Sequence, residues 1–245
     1  MSSRRVVIKK EKKDKIKIGI IIPVTSRRRN YRNVEKIDFF RILFNTFLRT
    51  YSKTGNYEYL FYLGYDDDDA FFIENKETIL EHFDSIKSDN MKLTLNLIEN
   101  MKNKVGKIWS KLAEIAKEDC EYLYQLGDDI KLISSGWEDA FIKKLSETNN
   151  VGVTGPLDLT NHTILTQSFV HITHLKIFGT YFPEEIENWY IDDWITNIYN
   201  CERITDIKVR NSGGCPRYQI RDNKENYEKV LEKTRPVLER YKDSL

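Results

Sequence analysis

An α/β architecture, with a mixed, mostly parallel sheet flanked by helices in a single domain, is what this sequence of 245 residues predicts. Three observations carry the prediction. Apolar, β-branched runs have strand length, helical periodicities lie between them, and the two alternate regularly as far as residue 156. The first run, "IKIGIIIPV" (16–24), is continuously apolar and ends at Pro23, as a central strand covered on both faces should be. Residues 34–53 then place Phe40, Leu43, Phe44, Phe47 and Leu48 on one side of a helix. A strand is expected at 57–63, a helix at 75–88, a strand at 92–99, a helix at 107–119 and a strand at 121–127. A helix at 135–148 and a strand at 151–156 complete the alternation. Beyond 157 the pattern breaks into loops and short strands, followed by a helix over 183–200. Residues 1–15 read as a flexible basic tail, 16–220 as the domain, and 221–245 as a charged helical tail bent at Pro236.

Composition narrows the function classes. Hydrophobic residues make up 40% of the chain and aromatic residues 12%, an ordinary globular content. The net charge of +1, from 39 basic and 38 acidic side chains, argues against a nucleic-acid partner. No apolar run approaches the ~20 residues of a membrane span, and no signal-peptide core opens the chain. A cytoplasmic, unsecreted protein is expected. The three cysteines (Cys120, Cys201, Cys215) fit neither zinc spacing nor a disulfide framework, and are expected as reduced thiols.

Glycine fingerprints of dinucleotide-binding and P-loop folds are missing, as is the serine-hydrolase elbow. What remains is acid-rich. "YEYLFYLGYDDDDAFF" (57–72) is an apolar run that ends in Asp66–Asp69, and "YLYQLGDDI" (122–130) is another that ends in Gly127-Asp128-Asp129. Right-handed crossovers bring the carboxyl ends of parallel strands to one edge, where ligands of open α/β sheets bind, so both clusters can serve one site. Adjacent acids in extended chain point to opposite faces. One of the Gly127 pair can therefore meet a hard cation, Mn²⁺ or Mg²⁺, while the other meets a neighbouring hydroxyl; an acidic loop without a ligand is the plain alternative. Farther on, in "PEEIENWYIDDWITNIYN" (183–200), Ile186, Tyr190, Ile191, Trp194, Ile195 and Ile198 cover one arc of a helix. On that wheel Asp193 sits at the apolar border near Trp189, where desolvation makes a carboxylate a better proton acceptor, and Asp192 lies toward solvent. Trp189, Tyr190 and Trp194 offer flat faces to a sugar, or serve as core aromatics. The Gly-rich "RNSGGCPRY" (210–218) carries Arg217, either a phosphate-closing arginine or part of an ordinary turn.

In their order and spacing these motifs resemble those of the GT-A glycosyltransferases, whose donors are nucleotide sugars. The likeness spans residues 16 to about 200 and runs through "IIIPVTSRR", "YLYQLGDDI", "SSGW" at Gly136-Trp137, and "NWYIDDW". Within that family the sequence is most similar to small glycosyltransferases of large DNA viruses, which would place the protein in a host cytoplasm. The resemblance implies a Rossmann-like GT-A fold and transfer of a sugar from a nucleotide-diphosphate donor, a UDP-sugar, to a hydroxyl of a glycan or glycoprotein acceptor. It implies that Asp129, with Asp128 beside it, binds Mn²⁺ or Mg²⁺, and that Asp128 also reaches ribose or a metal-bound water. It assigns Pro23, Thr25 and Ser26 to the nucleotide loop, with Arg27 and Arg217 near phosphate. It places Asp67 or Asp68 against the nucleoside, the other acids of that run facing water or capping the next helix. It makes Asp193, beside Asp192, the catalytic base if the reaction inverts, or the group that positions the acceptor or shields the sugar carbon if it retains configuration, and Trp189, Tyr190 and Trp194 the acceptor platform. One departure is Gly127, where many members carry an acid, so a third metal ligand would come from elsewhere, His171 or His174 among the candidates. A sugar-phosphate nucleotidyltransferase and an inactive sugar- or protein-binding module on the same fold are the alternatives.

Overall fold

The computed structural model describes residues 14–201, 203–214, 217, 219, 220 and 222–245. Most of the basic tail, residues 1–13, and Cys215 thus lie outside the described residues. Four parallel strands, β1 (Ile16–Pro23), β2 (Tyr57–Asp66), β3 (Met91–Ile98) and β4 (Tyr122–Gln125), form the sheet with an antiparallel edge strand, β7 (Ser168–His171). The spatial order is β3-β2-β1-β4-β7. Central strands alternate between two apolar layers. Ile18, Ile20 and Ile22 enter one core with Tyr59, Phe61 and Leu63, while Ile21 enters the other with Leu60 and Tyr62. That two-sided burial is why the first strand reads as an unbroken apolar run.

The first core is aromatic. Phe39, Phe44, Phe47, Phe61, Phe83, Tyr59 and Trp137 are all fully buried, each worth about 1.5–3 kcal/mol relative to exposure. On the other face α4 (Val105–Ala116) lies close to the sheet because the strands carry glycine beneath it. A Cβ on Gly64 would come within 2.9 Å of Ile108 Cγ2, and one on Gly19 within 3.3 Å of Ala116 Cβ. Helices α2 (Ala70–Glu74), α3 (Lys76–Ile86), α5 (Trp137–Ser146) and α6 (Thr173–Phe178) fill the remaining crossovers. None of the described helices is long and apolar enough to cross a membrane.

Four sequence expectations need correction. Residues 34–53 are not one regular helix: a 3₁₀ turn (Val34–Lys36) and a π-helical segment (Phe39–Phe44) precede α1 (Asn45–Thr50). The wide π turn lets Phe39, Phe40, Leu43 and Phe44 all face the core. Residues 151–155 are not a strand; Val151 and Val153 are buried, Thr154 makes only a bridge to Phe169, and β6 is Pro156–Asp158. The helix of 183–200 begins only at α7 (Ile191–Tyr199), because Tyr190 holds φ at 73° and cannot continue a right-handed turn. Lastly, α8 (Lys224–Lys242) runs through Pro236 and packs on α6 and α7, burying Tyr227, Val230 and Leu238. It belongs to the second core.

A small second sheet was not apparent in the sequence. In it β8 (Ile204–Asn211) lies between β5 (Ile130–Leu132) and β6. Pairing of Ile130 with Asn211 fixes the chain after Asn211 over the carboxyl edge of the main sheet.

Candidate active site

A cleft of about 240 Å³ opens at that edge, on the α4 side, and both acid clusters reach it. Strand alternation explains which side chains do. Leu60, Tyr62 and Leu123 face α4, so Asp66 two turns of the pleat onward and Gln125 point the same way and line the cleft. Pro23, Thr25 and Arg27 line it from the loop after β1; Ser26 does not.

The turn 127–130 is held from three sides. Gly127 N–H donates to Gln167 Oε1 (3.2 Å), Trp109 Nε1 donates to Leu126 O (3.3 Å), and Ser212 N–H donates to Asp129 O (3.0 Å). Asp128 is buried, and Arg217 spans it: Nη1 donates to Oδ2 at 3.0 Å and Nη2 to Oδ1. The same guanidinium donates from Nη2 to Asp129 Oδ2 (3.4 Å) and from Nη1 to Thr25 O (3.3 Å). Burial pushes the Asp128 carboxyl up to about 6 against the pull of Arg217, with Asp129 and Asp38 adding to the rise. Despite burial, Asp128 holds Arg217 well above the ordinary arginine range, as the bidentate geometry of an ion pair demands. Behind the turn, buried Asp38 accepts from Arg29 Nε (2.7 Å) and Arg41 Nη2 (2.6 Å), and lies 4.0 Å from Arg217 Nη1. Burial would raise Asp38, but those two arginines hold it below the usual range. Arg29 Nη2 also donates to Gly213 O (3.3 Å), tying down the chain that carries Arg217.

The run Asp66–Asp69 divides its work differently from the expectation. Strand β2 extends to Asp66, whose Oδ2 meets Arg27 Nη1 and whose Oδ1 is sealed from water with no partner among the described residues. Burial raises its pKa, opposed by Arg27. Asp67 and Asp68, the expected nucleoside contacts, are exposed and line no part of the cleft; Asp68 pairs with Arg27 and Lys102. Asp69 organises the loop after β1 instead. It accepts from Thr25 Oγ1 (2.9 Å), Ser26 N–H (2.7 Å) and Ser26 Oγ (2.7 Å), and its Oδ1 caps α2 at Phe72 N–H.

On α7 Asp192, expected toward solvent, is the acid that is drawn inward, while Asp193 keeps the partly desolvated place the helical wheel gave it. Asp192 lines the cleft, and its Oδ1 is sealed from solvent without a hydrogen-bond partner among the described residues. Burial raises its pKa well above the ordinary carboxylate value, with Asp193 and Asp158 adding to the shift. Asp193 is half-buried and outside the cleft lining, with a pKa raised by burial. The expected aromatic platform is not assembled there either. Trp194 is fully buried and donates from Nε1 to Thr234 Oγ1 (3.0 Å); Tyr190 stacks on Tyr227 and donates to Asp222; Trp189 is exposed. Sequence reasoning passed over Asp66, Trp109 and Gln167, all of which line the cleft; only Asp66 stood in a motif.

A Mn²⁺ or Mg²⁺ ion does not fit the two-acid turn as it is built. Both Asp128 oxygens accept from Arg217, Asp129 Oδ2 faces the same group, and no set of three His, Cys, Asp or Glu side chains converges among the described residues. The candidate third ligands are engaged elsewhere: His174 between Tyr199 Oη and Tyr181 O, His171 with Thr173.

No family model and no curated protein matches the chain. Solved structures do. S. aureus TarS superposes with a TM-score of 0.55 at 15% identity over 89% of this chain and 39% of its own. A second structure, TarS 1–349, gives 0.50 at 16% identity over 82% and 59%. The chain therefore spans 39% and 59% of the two neighbours' lengths, less than two thirds of either. At such identity the likeness is one of fold: a Rossmann-like, mixed α/β domain with a mostly parallel sheet. It is a likeness to a bacterial protein and does not reach the narrower viral one.

Proposed function

We propose that the chain is a glycosyltransferase that takes a nucleotide-diphosphate sugar, a UDP-sugar, into the cleft at the carboxyl edge and passes the sugar to a hydroxyl of a glycan or glycoprotein. The fold shared with TarS, a glycosyltransferase, supports the class. The observation that carries the reading to this cleft is Asp192, a desolvated carboxyl whose Oδ1 has no hydrogen-bond partner among the described residues and which lines the same space as Asp66, Asp128 and Arg27. The nucleoside lies toward Asp66 and the loop that Asp69 organises, and the diphosphate lies toward Arg27 and Arg217. The acceptor oxygen attacks the anomeric carbon as the bond to the diphosphate oxygen breaks, and its proton passes to the Asp192 carboxylate, giving inversion. Electrons leave with the diphosphate, where guanidinium groups offset its charge. The reading routes no step through a divalent ion, whose ligands are engaged.

Thermal-shift screening of nucleotide sugars followed by turnover assays tests this. A UDP-sugar should stabilise the protein, and Asp192→Asn should lower kcat by about 10²–10⁴ while leaving donor binding nearly intact. Asp193→Asn should cost far less. Stabilisation by no nucleotide sugar, or full turnover in Asp192→Asn, overturns the reading. Pyrophosphate released from labelled NTP and a sugar phosphate would point to nucleotidyl transfer instead.

A further inference from the structure

The acid pair of the cleft already has a cation. Across the cluster three carboxylates, Asp38, Asp128 and Asp129, face three guanidinium groups, Arg29, Arg41 and Arg217, so the charges balance within the chain. Arg217 sits at the centre of that balance. One guanidinium nitrogen joins Asp128 to the Thr25 carbonyl and the other joins Asp128 to Asp129, a four-way contact linking the turns after β1 and β4. Space beside Asp129 is also taken. A Cβ on Gly213 would fall 1.6 Å from Asp129 Oδ2, so backbone lies directly against the oxygen an ion would use. An octahedral ion with six ligands at ~2.1 Å needs room on every side.

We propose that Arg217 is the resident cation of this cleft, standing between Asp128 and Asp129 where a divalent ion would stand, and that a nucleoside diphosphate binds here without metal. The nucleotide half of this rests on the glycosyltransferase reading; the cation half does not. A guanidinium suits both tasks. Its planar fork matches a carboxylate on one side, and its charge is fixed at every physiological pH. Arg27, salt-bridged to Asp66 and Asp68, lines the same cleft and supplies a second guanidinium for the phosphates. Entry of a divalent ion requires Arg217 to leave, which would strand its positive charge and give up the Asp128 pair. The chain thus selects against the ion by occupation.

Two measurements on the full chain test the proposal. In the first, Mn²⁺ alone is titrated into nucleotide-free protein and the free ion is followed by electron paramagnetic resonance. Wild type should leave Mn²⁺ free, whereas Arg217→Ala, which bares two carboxylates, should bind it about tenfold or more tightly. Arg217→Lys keeps the charge without the fork and should still exclude Mn²⁺. In the second, UDP is titrated by calorimetry in EDTA and in Mn²⁺. Wild type should bind about equally in both, and Arg217→Lys about tenfold more weakly in both. Stoichiometric Mn²⁺ binding to nucleotide-free wild type overturns the cation assignment, as does UDP binding that requires Mn²⁺. Both of those results come from wild type, so they stand even where Arg217→Ala fails to fold. If UDP binds under neither condition while Mn²⁺ is excluded as expected, the glycosyltransferase reading and the nucleotide half fail together, and the cation assignment stands.

Discussion

Asp69 is the side chain on which the loop after β1 depends, although three acids precede it in the same run. One carboxylate gathers two hydroxyls and a backbone N–H from Thr25 and Ser26 and still caps α2. Removing it leaves buried donors without an acceptor. Asp69→Ala should lower stability by about 3 kcal/mol in urea unfolding and weaken UDP binding with it. A variant as stable as wild type would show that the loop is held elsewhere. The neighbouring Asp66 shows why the sequence misled at this scale. Its run reads as a strand to residue 63, but the backbone stays paired with β3 through Asp66. Three further residues of pairing turn Asp66 onto the α4 face and put Asp67 and Asp68 past the strand end, in water.

Elements were legible where periodicity is strong and lost where backbone conformation decides. The parallel strands announced themselves because both faces of each are buried. Strand β8 did not, since only Ile207 and Val209 of its eight residues are buried. Helix α7 was placed too early because a left-handed Tyr190 leaves no mark on periodicity. The wheel misjudged Asp192 for a related reason: the surface that desolvates it is a cleft built by other elements, not the apolar arc of its own helix. Helix α8 carries a testable flaw of its own. Exposed Pro236 sits within the helix and cannot donate to the carbonyl four residues back. Pro236→Ala should stabilise the protein by about 1–3 kcal/mol, raising the melting midpoint by roughly 2–4 °C for each. An unchanged midpoint would mean that the rest of the helix already absorbs the missing bond.

At the scale of the whole molecule, acid stability turns on a buried histidine in the second core. His174 Nε2 lies 2.9 Å from Tyr181 O, a carbonyl that can only accept, so Nε2 carries the proton and Nδ1 accepts from Tyr199 Oη. Burial holds the imidazole down to about 4, against 6.5 when unfolded, so below pH ~6.5 the unfolded chain takes up a proton that the folded one refuses. Stability is therefore full above that pH and is lost as pH falls toward 4, by up to about 3 kcal/mol. Asp128, raised to about 6 in the fold, works in the opposite direction over part of the same range. The difference between wild type and His174→Gln isolates the histidine. Unfolding free energies measured from pH 7 to 4 should fall more steeply for wild type, and parallel curves would refute the assignment. The fold class was readable at this scale because alternating strands and helices leave few topologies. The second sheet was not, since it joins segments some 80 residues apart through short and mostly exposed pairings.

That long-range pairing bears on how the protein is made. As the chain leaves the ribosome, the four parallel strands and the Asp128–Asp129 turn emerge first, while β8 and Arg217 follow only some 80 residues later. Until then Asp128 and Asp129 lack the guanidinium that pairs with them and are open to any free cation in the surroundings. The segment that carries β8 and Arg217 thus completes the site after the sheet is in place, so a ribosome stalled short of it would hold a nearly complete sheet with an unfinished centre.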